Sequence, residues 1–156
     1  MTPAVNSLKK AKVRYTLHSY DHDPASKAYG QEAAQKLNVS FDRLFKTLVV
    51  SDDDGTFMTA LVPVSKQLDL KKWVRALGSK KAHMAEKQDV ERLTGYVLGG
   101  VSPLGQKKKL TAIMDISAQN FDTIFVSAGR RGLQIEIAPK DLARLTQAGQ
   151  SHVEII

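Results

Sequence analysis

Two β-rich runs, Phe45 to Ser51 and Thr56 to Val62, are separated only by Asp52-Asp53-Asp54-Gly55. So short a polar connection makes the two strands an antiparallel hairpin, because a parallel crossover needs about a dozen residues or more. The Asp triplet superficially suggests a calcium loop. The glycine comes too early for one and the terminal acidic ligand is missing, so the segment reads as the hairpin turn. A purely parallel sheet is thereby excluded. Helical and strand periodicities alternate through the rest of the chain, which predicts one α/β domain over residues 1–156 with a mixed sheet.

Thr2-Pro3 reads as a cap and first turn of a helix ending near Lys12, with Val5 and Leu8 facing the core. Val13, Tyr15 and Leu17 then alternate with polar residues, predicting a half-buried strand that stops at Asp21-His22-Asp23-Pro24. Further helices are expected over Gln31–Leu37, over Leu68–Leu77 with Gly78 ending it, over Glu86–Leu93 and over Asp141–Thr146. Short strands are expected at Ala112–Asp115, Thr123–Ser127, Leu133–Ile137 and Val153–Ile155, and Gly95–Lys109 reads as a loop.

Composition removes several chemistries. With no cysteine there is no thiolate nucleophile, disulfide framework or thiolate metal site. His18, His22, His83 and His152 are scattered without metal-ligand spacing, so no metal and no cofactor is expected. No dinucleotide fingerprint or phosphate loop occurs, and Gly100-Val101-Ser102-Pro103-Leu104 misses the nucleophile-elbow pattern at its last position. Lys and Arg outnumber Asp and Glu by 23 to 16, which suits a polyanionic partner and equally suits an ordinary basic protein. The start lacks the pattern of a secretory signal and no apolar run is long enough to span a membrane, so a cytoplasmic protein with no membrane partner is expected.

Three segments invite a functional reading beside a structural one. In Phe45-Lys46-Thr47-Leu48 a cation stands at a strand entrance, either as a snorkelling surface lysine or as a site group. Thr94 to Lys109 gathers glycines ahead of Lys107-Lys108-Lys109, either as a solvated loop or as backbone amides facing an oxyanion with cations alongside. Ser127-Ala128-Gly129-Arg130-Arg131-Gly132 is a turn whose arginines either contact RNA phosphates or are simply solvated. Aromatics make up 6% of the chain, too few for a base-stacking sheet that reads single-stranded RNA.

Taken in order, Thr2-Pro3-Ala4-Val5, Tyr20 to Pro24, Lys46 to Val50, Gln67 to Lys72, Thr94-Gly95-Tyr96, Gly99 to Lys108 and Arg131-Gly132-Leu133 resemble the YbaK family of free-standing editing proteins, relatives of the insertion domain of bacterial prolyl-tRNA synthetases. The resemblance runs nearly end to end. It implies a compact α/β fold with a mixed, barrel-like sheet flanked by helices. The activity it implies is metal-free hydrolysis of the aminoacyl ester on mischarged tRNA, above all cysteine on proline tRNA, alongside prolyl-tRNA synthetase. Lys46 matches the family's essential lysine, and Tyr20, Tyr29, Thr47, Gly99 and Ser127 fall where the family lines its pocket. Tyr29 replaces a frequent Phe, and Gln134 stands where Asp is expected. The expected mechanism has Lys46 holding the tRNA 3′ end, amides near Gly99 and Gly100 polarising the ester, and Lys107, Lys108, Lys109, Arg130 and Arg131 contacting tRNA. Alanine or another small amino acid is an alternative substrate, and a non-catalytic binding module an alternative function.

Overall fold

The structure, a computed structural model, describes residues 1–78, 80–151 and 153–155, so His152 lies outside the described residues. The chain opens with α1 (Pro3–Ala11). The Thr2 hydroxyl accepts from the Val5 amide and donates to the Ala128 carbonyl at 2.5 Å, so one side chain both starts the helix and ties it to the sheet behind. Next come β1 (Tyr15–Ser19), α2 (Tyr29–Leu37), β2 (Phe45–Asp52) and β3 (Phe57–Pro63). They are followed by β4 (Gln67–Leu68), α3 (Leu70–Leu77), β5 (Ala82–Met84), α4 (Lys87–Thr94) and β6 (Thr111–Asp115). A 3-10 turn over Ile116–Asn120, β7 (Ile124–Ser127), β8 (Leu133–Ile137), α5 (Pro139–Thr146), β9 (Gly149–Ser151) and β10 (Glu154–Ile155) complete the chain.

The hairpin of β2 and β3 is closed by Asp52, whose carboxylate accepts from the Asp54 and Thr56 amides, both at 2.9 Å. Gly55 supplies the positive φ of 79° that the turn needs. Antiparallel to β3 and β5 on either side, β2 sits in a five-stranded sheet of order β5-β2-β3-β6-β9, in which β3–β6 and β6–β9 are parallel. The sheet is therefore mixed, as the hairpin requires. A second, antiparallel sheet has the order β1-β8-β7. The two join where Leu44 bridges Phe125, with the Phe125 amide donating to the Arg43 carbonyl at 3.1 Å. Among the described residues no closed ring of strands forms, so the barrel-like expectation reduces to open sheets: the five- and three-stranded sheets meet at one bridge, and β4 and β10 make a third, two-stranded sheet.

The main core fills the space between the sheets and α1, α4 and α5, with Leu8, Phe45, Leu61, Met114, Ile135 and Leu142 all nearly or fully inaccessible. A second cluster around Trp73 and Val62 seats α3, and a third around Ala33, Ala34, Leu44 and Phe125 seats α2. Two of the boundaries that differ from the periodicity have a clear cause or consequence. α3 begins at Leu70 rather than Leu68, because the Asp69 carboxylate caps it through the Lys71 and Lys72 amides and Leu68 pairs with β10 instead. α2 begins two residues early, at Tyr29, which brings that ring to the site described next.

Candidate functional site

β2 has a strand on both edges only near its end. β3 flanks it from Phe45 to Ser51, but β5 pairs only with Val50–Asp52 and leaves Lys46–Leu48 open on that edge. The opening is a cavity of about 350 Å³. Its walls come from β2 (Phe45, Lys46, Thr47, Leu48), the start of α2 (Tyr29, Gly30, Gln31), the loop after α4 (Leu98, Gly99, Val101) and the β7–β8 sheet (Ser127, Gln134), with Lys27, Ala28 and Leu44. Neighbouring residues Lys46 and Thr47 both reach it because it lies at a strand edge, where the two faces of the strand converge.

Lys46 is half-buried, makes no ion pair among the described residues, and has its pKa pushed down by burial. No carboxylate or imidazole lines the cavity, so its positive charge is balanced by nothing nearby on the walls. Thr47 Oγ1 and Gln134 Oε1 are buried without a hydrogen-bond partner, a condition that costs roughly 1–3 kcal/mol per atom until something satisfies it. The Ser127 hydroxyl oxygen accepts from the Gly129 amide at 3.2 Å, which leaves its proton to donate.

The floor at Gly99 is set by close approach. Its φ is +84°, and a Cβ there would stand 2.6 Å from the Tyr29 ring. The Arg131 guanidinium lies over the same ring, 4.5 Å from its centroid, while Arg131 Nε donates to the Leu98 carbonyl at 2.9 Å. His22 flanks Tyr29 at 6.0 Å between centroids and bonds through Nδ1 to Glu32 at 2.6 Å. Burial alone would raise the Glu32 carboxyl, but the Asp23 amide, the His22 ring and the Lys36 ammonium hold it down to about 2.

The structure thus brings Lys46, Thr47, Tyr29, Gly99, Ser127 and Gln134 together. Tyr20 stands behind the wall rather than on it: it packs on the Ala33, Leu44 and Phe125 cluster, and its phenol, raised by burial, hydrogen-bonds to the Gln134 side chain. Gly100 requires a correction. Its amide donates to the Val97 carbonyl at 2.9 Å, so it is spent on the turn and does not face the cavity as a polarising donor. A Cβ on Gly100 would come within 2.8 Å of the Arg130 Cα, so its smallness serves packing against that turn.

The lysine triplet is also displaced from its expected place beside the glycines. Lys107 and Lys108 donate their amides back to Thr94 and Leu93, and exposed Lys109 borders a separate recess with Ser7 and Leu145. None of the three lines the cavity, and Arg130 is exposed on the β7–β8 turn. Sequence reasoning missed Leu98, Lys27 and the His22–Glu32 pair. Only the Tyr20 to Pro24 match hinted at the last of these. Among the described residues no three His, Asp or Glu side chains gather as a metal-holding group, and no helix is long and apolar enough to cross a membrane.

A cavity lined by two lysines, half-buried Lys46 and exposed Lys27, and by no carboxylate or imidazole that could activate a serine or threonine suits binding and polarising a reactive ester rather than covalent attack on it. The chain is a member of the aminoacyl-tRNA editing domain family, whose model matches residues 22–145. It is 38% identical over 149 residues to EbsC of Enterococcus faecalis, a protein named for Cys-tRNA(Pro)/Cys-tRNA(Cys) deacylation, covering 93% of this chain and 88% of that one. A proline–tRNA ligase of Trichlorobacter lovleyi is 30% identical over 107 residues, 69% of this chain and 18% of the ligase. A solved structure described as a trans-editing enzyme for prolyl-tRNA synthetase superposes with a TM-score of 0.81 at 25% identity, covering 100% of this chain and 99% of that one.

Proposed function

We propose that this chain is a trans-editing deacylase that hydrolyses the aminoacyl ester of mischarged tRNA, with Cys-tRNA(Pro) as its foremost substrate. The observation that carries the reading is the unpaired, half-buried Lys46 in a cavity with no carboxylate or imidazole on its walls. An aminoacyl ester is already activated, so a cation and fixed dipoles are enough to hold it and stabilise its oxyanion. Lys46 grips the ribose or phosphate of the 3′ end. The Gly99 amide, which has no protein partner among the described residues, takes the polarising role, and Thr47, Ser127 and Gln134 meet the ammonium and side chain of the amino acid.

With cysteine, the substrate's sulfur attacks its own carbonyl carbon. The C–O ester bond breaks, the tRNA hydroxyl leaves with the thiol proton, and the cyclic thioester is then opened by water to free cysteine. Prolyl-tRNA synthetase, in transient complex, supplies the choice of tRNA by proximity. The relative from Enterococcus, matched along 93% of this chain, supports the substrate assignment.

The test is release of amino acid from proline tRNA charged separately with cysteine, alanine and proline, by wild type and Lys46→Ala. Cysteine release that vanishes in the variant is expected. Preferential alanine release moves the specificity, and no release from any of the three, with the synthetase added, leaves a binding module as the better reading.

A further inference from the structure

Among the described residues two arginines lie over aromatic rings, and they differ in what else they do. The Arg43 guanidinium is 5.2 Å from the Phe125 centroid, but Nε donates to the Thr123 carbonyl at 2.7 Å and Nη2 reaches Glu136 at 3.2 Å. Its donors and charge are used inside the fold. Arg131 lies closer to its ring, 4.5 Å from the Tyr29 centroid, and is held by the Leu98 carbonyl, yet among the described residues no carboxylate pairs with it. It stays exposed, so the side of the guanidinium away from Tyr29 faces solvent with its charge uncompensated.

The surroundings suit a flat partner. Leu98 and Val97, on the loop that Arg131 grips, are 37% and 49% exposed, apolar surface that the fold leaves in water. Tyr29 and Leu98 also line the cavity, so the stack forms its rim. A phosphate would prefer the guanidinium edge with further donors around it, whereas a nucleobase prefers a planar cation with apolar flanks. The terminal nucleoside of any tRNA is adenosine, and its ribose carries the amino acid.

We infer that the Arg131 guanidinium, backed by Tyr29 and flanked by Leu98 and Val97, is the stacking platform for the terminal adenine of tRNA. This rests on the deacylase reading for its choice of nucleic acid. Because the side chain is already tethered by the bond from Nε to the Leu98 carbonyl and by its contact with the Tyr29 ring, less side-chain entropy is lost when the base arrives. With the base on the rim, its ribose falls at the cavity mouth and the ester extends inward toward Lys46.

Uncharged tRNA carrying 2-aminopurine in place of its 3′-terminal adenine tests this without requiring hydrolysis, since the fluorophore is quenched when it stacks. Wild type should quench it. Arg131→Lys, which keeps the charge and loses the plane, should abolish the quenching and raise KM for deacylation roughly 5- to 100-fold with kcat nearly unchanged. Tyr29→Leu should also lose the quenching. If Arg131→Lys quenches like wild type while Arg131→Gln does not, charge rather than the plane is at work and the inference is overturned in favour of a phosphate contact. Absence of quenching with wild type also overturns it. Arg131-dependent quenching by a protein that deacylates nothing would sustain the platform and remove the hydrolase reading alone.

Discussion

Lys46 is a cation where folding gains nothing from one. Half-buried and without an acidic partner, it loses hydration and recovers no ion pair, and that imbalance depresses its pKa. Lys46→Met keeps the stem and removes the charge. Thermal denaturation should show the variant as stable as wild type or more so, by up to about 1 kcal/mol, while deacylation falls to background. A large loss of stability would make the lysine structural. The lowered pKa gives the sign of a second prediction. If protonated Lys46 holds the substrate, activity declines as pH rises through a value below the ordinary lysine range, once spontaneous ester hydrolysis is subtracted. In Lys46→Arg that alkaline limb should disappear even if the rate is lower, because the guanidinium stays charged. The residues around Lys46 leave two readings, since a lysine at a strand entrance is common, and in the sequence it is the family resemblance that singles Lys46 out. The absence of a partner that distinguishes the two is a tertiary fact.

At the scale of elements, the site depends on how α2 and the loop after α4 are held. Glu32 anchors α2 to the Asp21–Asp23 segment through the His22 ring and the Asp23 amide, and Lys36, which also bonds the Asp21 carbonyl, joins from the next turn. A carboxyl depressed to about 2 stabilises the fold fully above its unfolded value, and the contribution is lost as pH falls through the folded value. Thermal midpoints of wild type should therefore drop between roughly pH 4.5 and 2 by more than those of Glu32→Gln, with a difference of about 1 kcal/mol after screening at the site's wet edge. Gly99→Ala is the corresponding test of the loop. Its positive φ and the Tyr29 ring leave no room for a Cβ, so about 1–3 kcal/mol of strain should displace the ring, and deacylation should fall with the fold retained by circular dichroism. The hairpin, α1 and strands β6, β7 and β8 were legible because turn chemistry and periodicity are local. Not legible were the three-residue β5 and β9, too short to show a period, and the entry of Tyr29 into α2, where no side-chain cap marks the start. For the same reason the Gly100 amide was misplaced. Sequence shows a glycine pair, but only the fold shows that one amide is consumed by Val97.

For the whole molecule, the question is how a formal charge of +7 is distributed relative to the cavity that holds Lys46. Lys46 and Lys27 line it and Arg131 stands at its rim, while Lys107, Lys108 and Lys109 are exposed on a different part of the loop and touch none of its walls. The proposed function therefore divides chemistry and long-range attraction between separate cations. Removing the triplet should act on encounter with tRNA and leave the hydrolytic step alone. In Lys107→Gln/Lys108→Gln/Lys109→Gln, the slope of log affinity against log salt should shrink by up to about 3, with the single-turnover rate at saturating tRNA within twofold of wild type. Lys46→Met should show the opposite pattern, a lost rate with a slope reduced by at most about 1. A triplet variant with an unchanged slope would leave those lysines as solvated surface. Recognition would then fall to the cavity rim and to the synthetase complex proposed above, because proximity can replace a steering field only where a partner provides it.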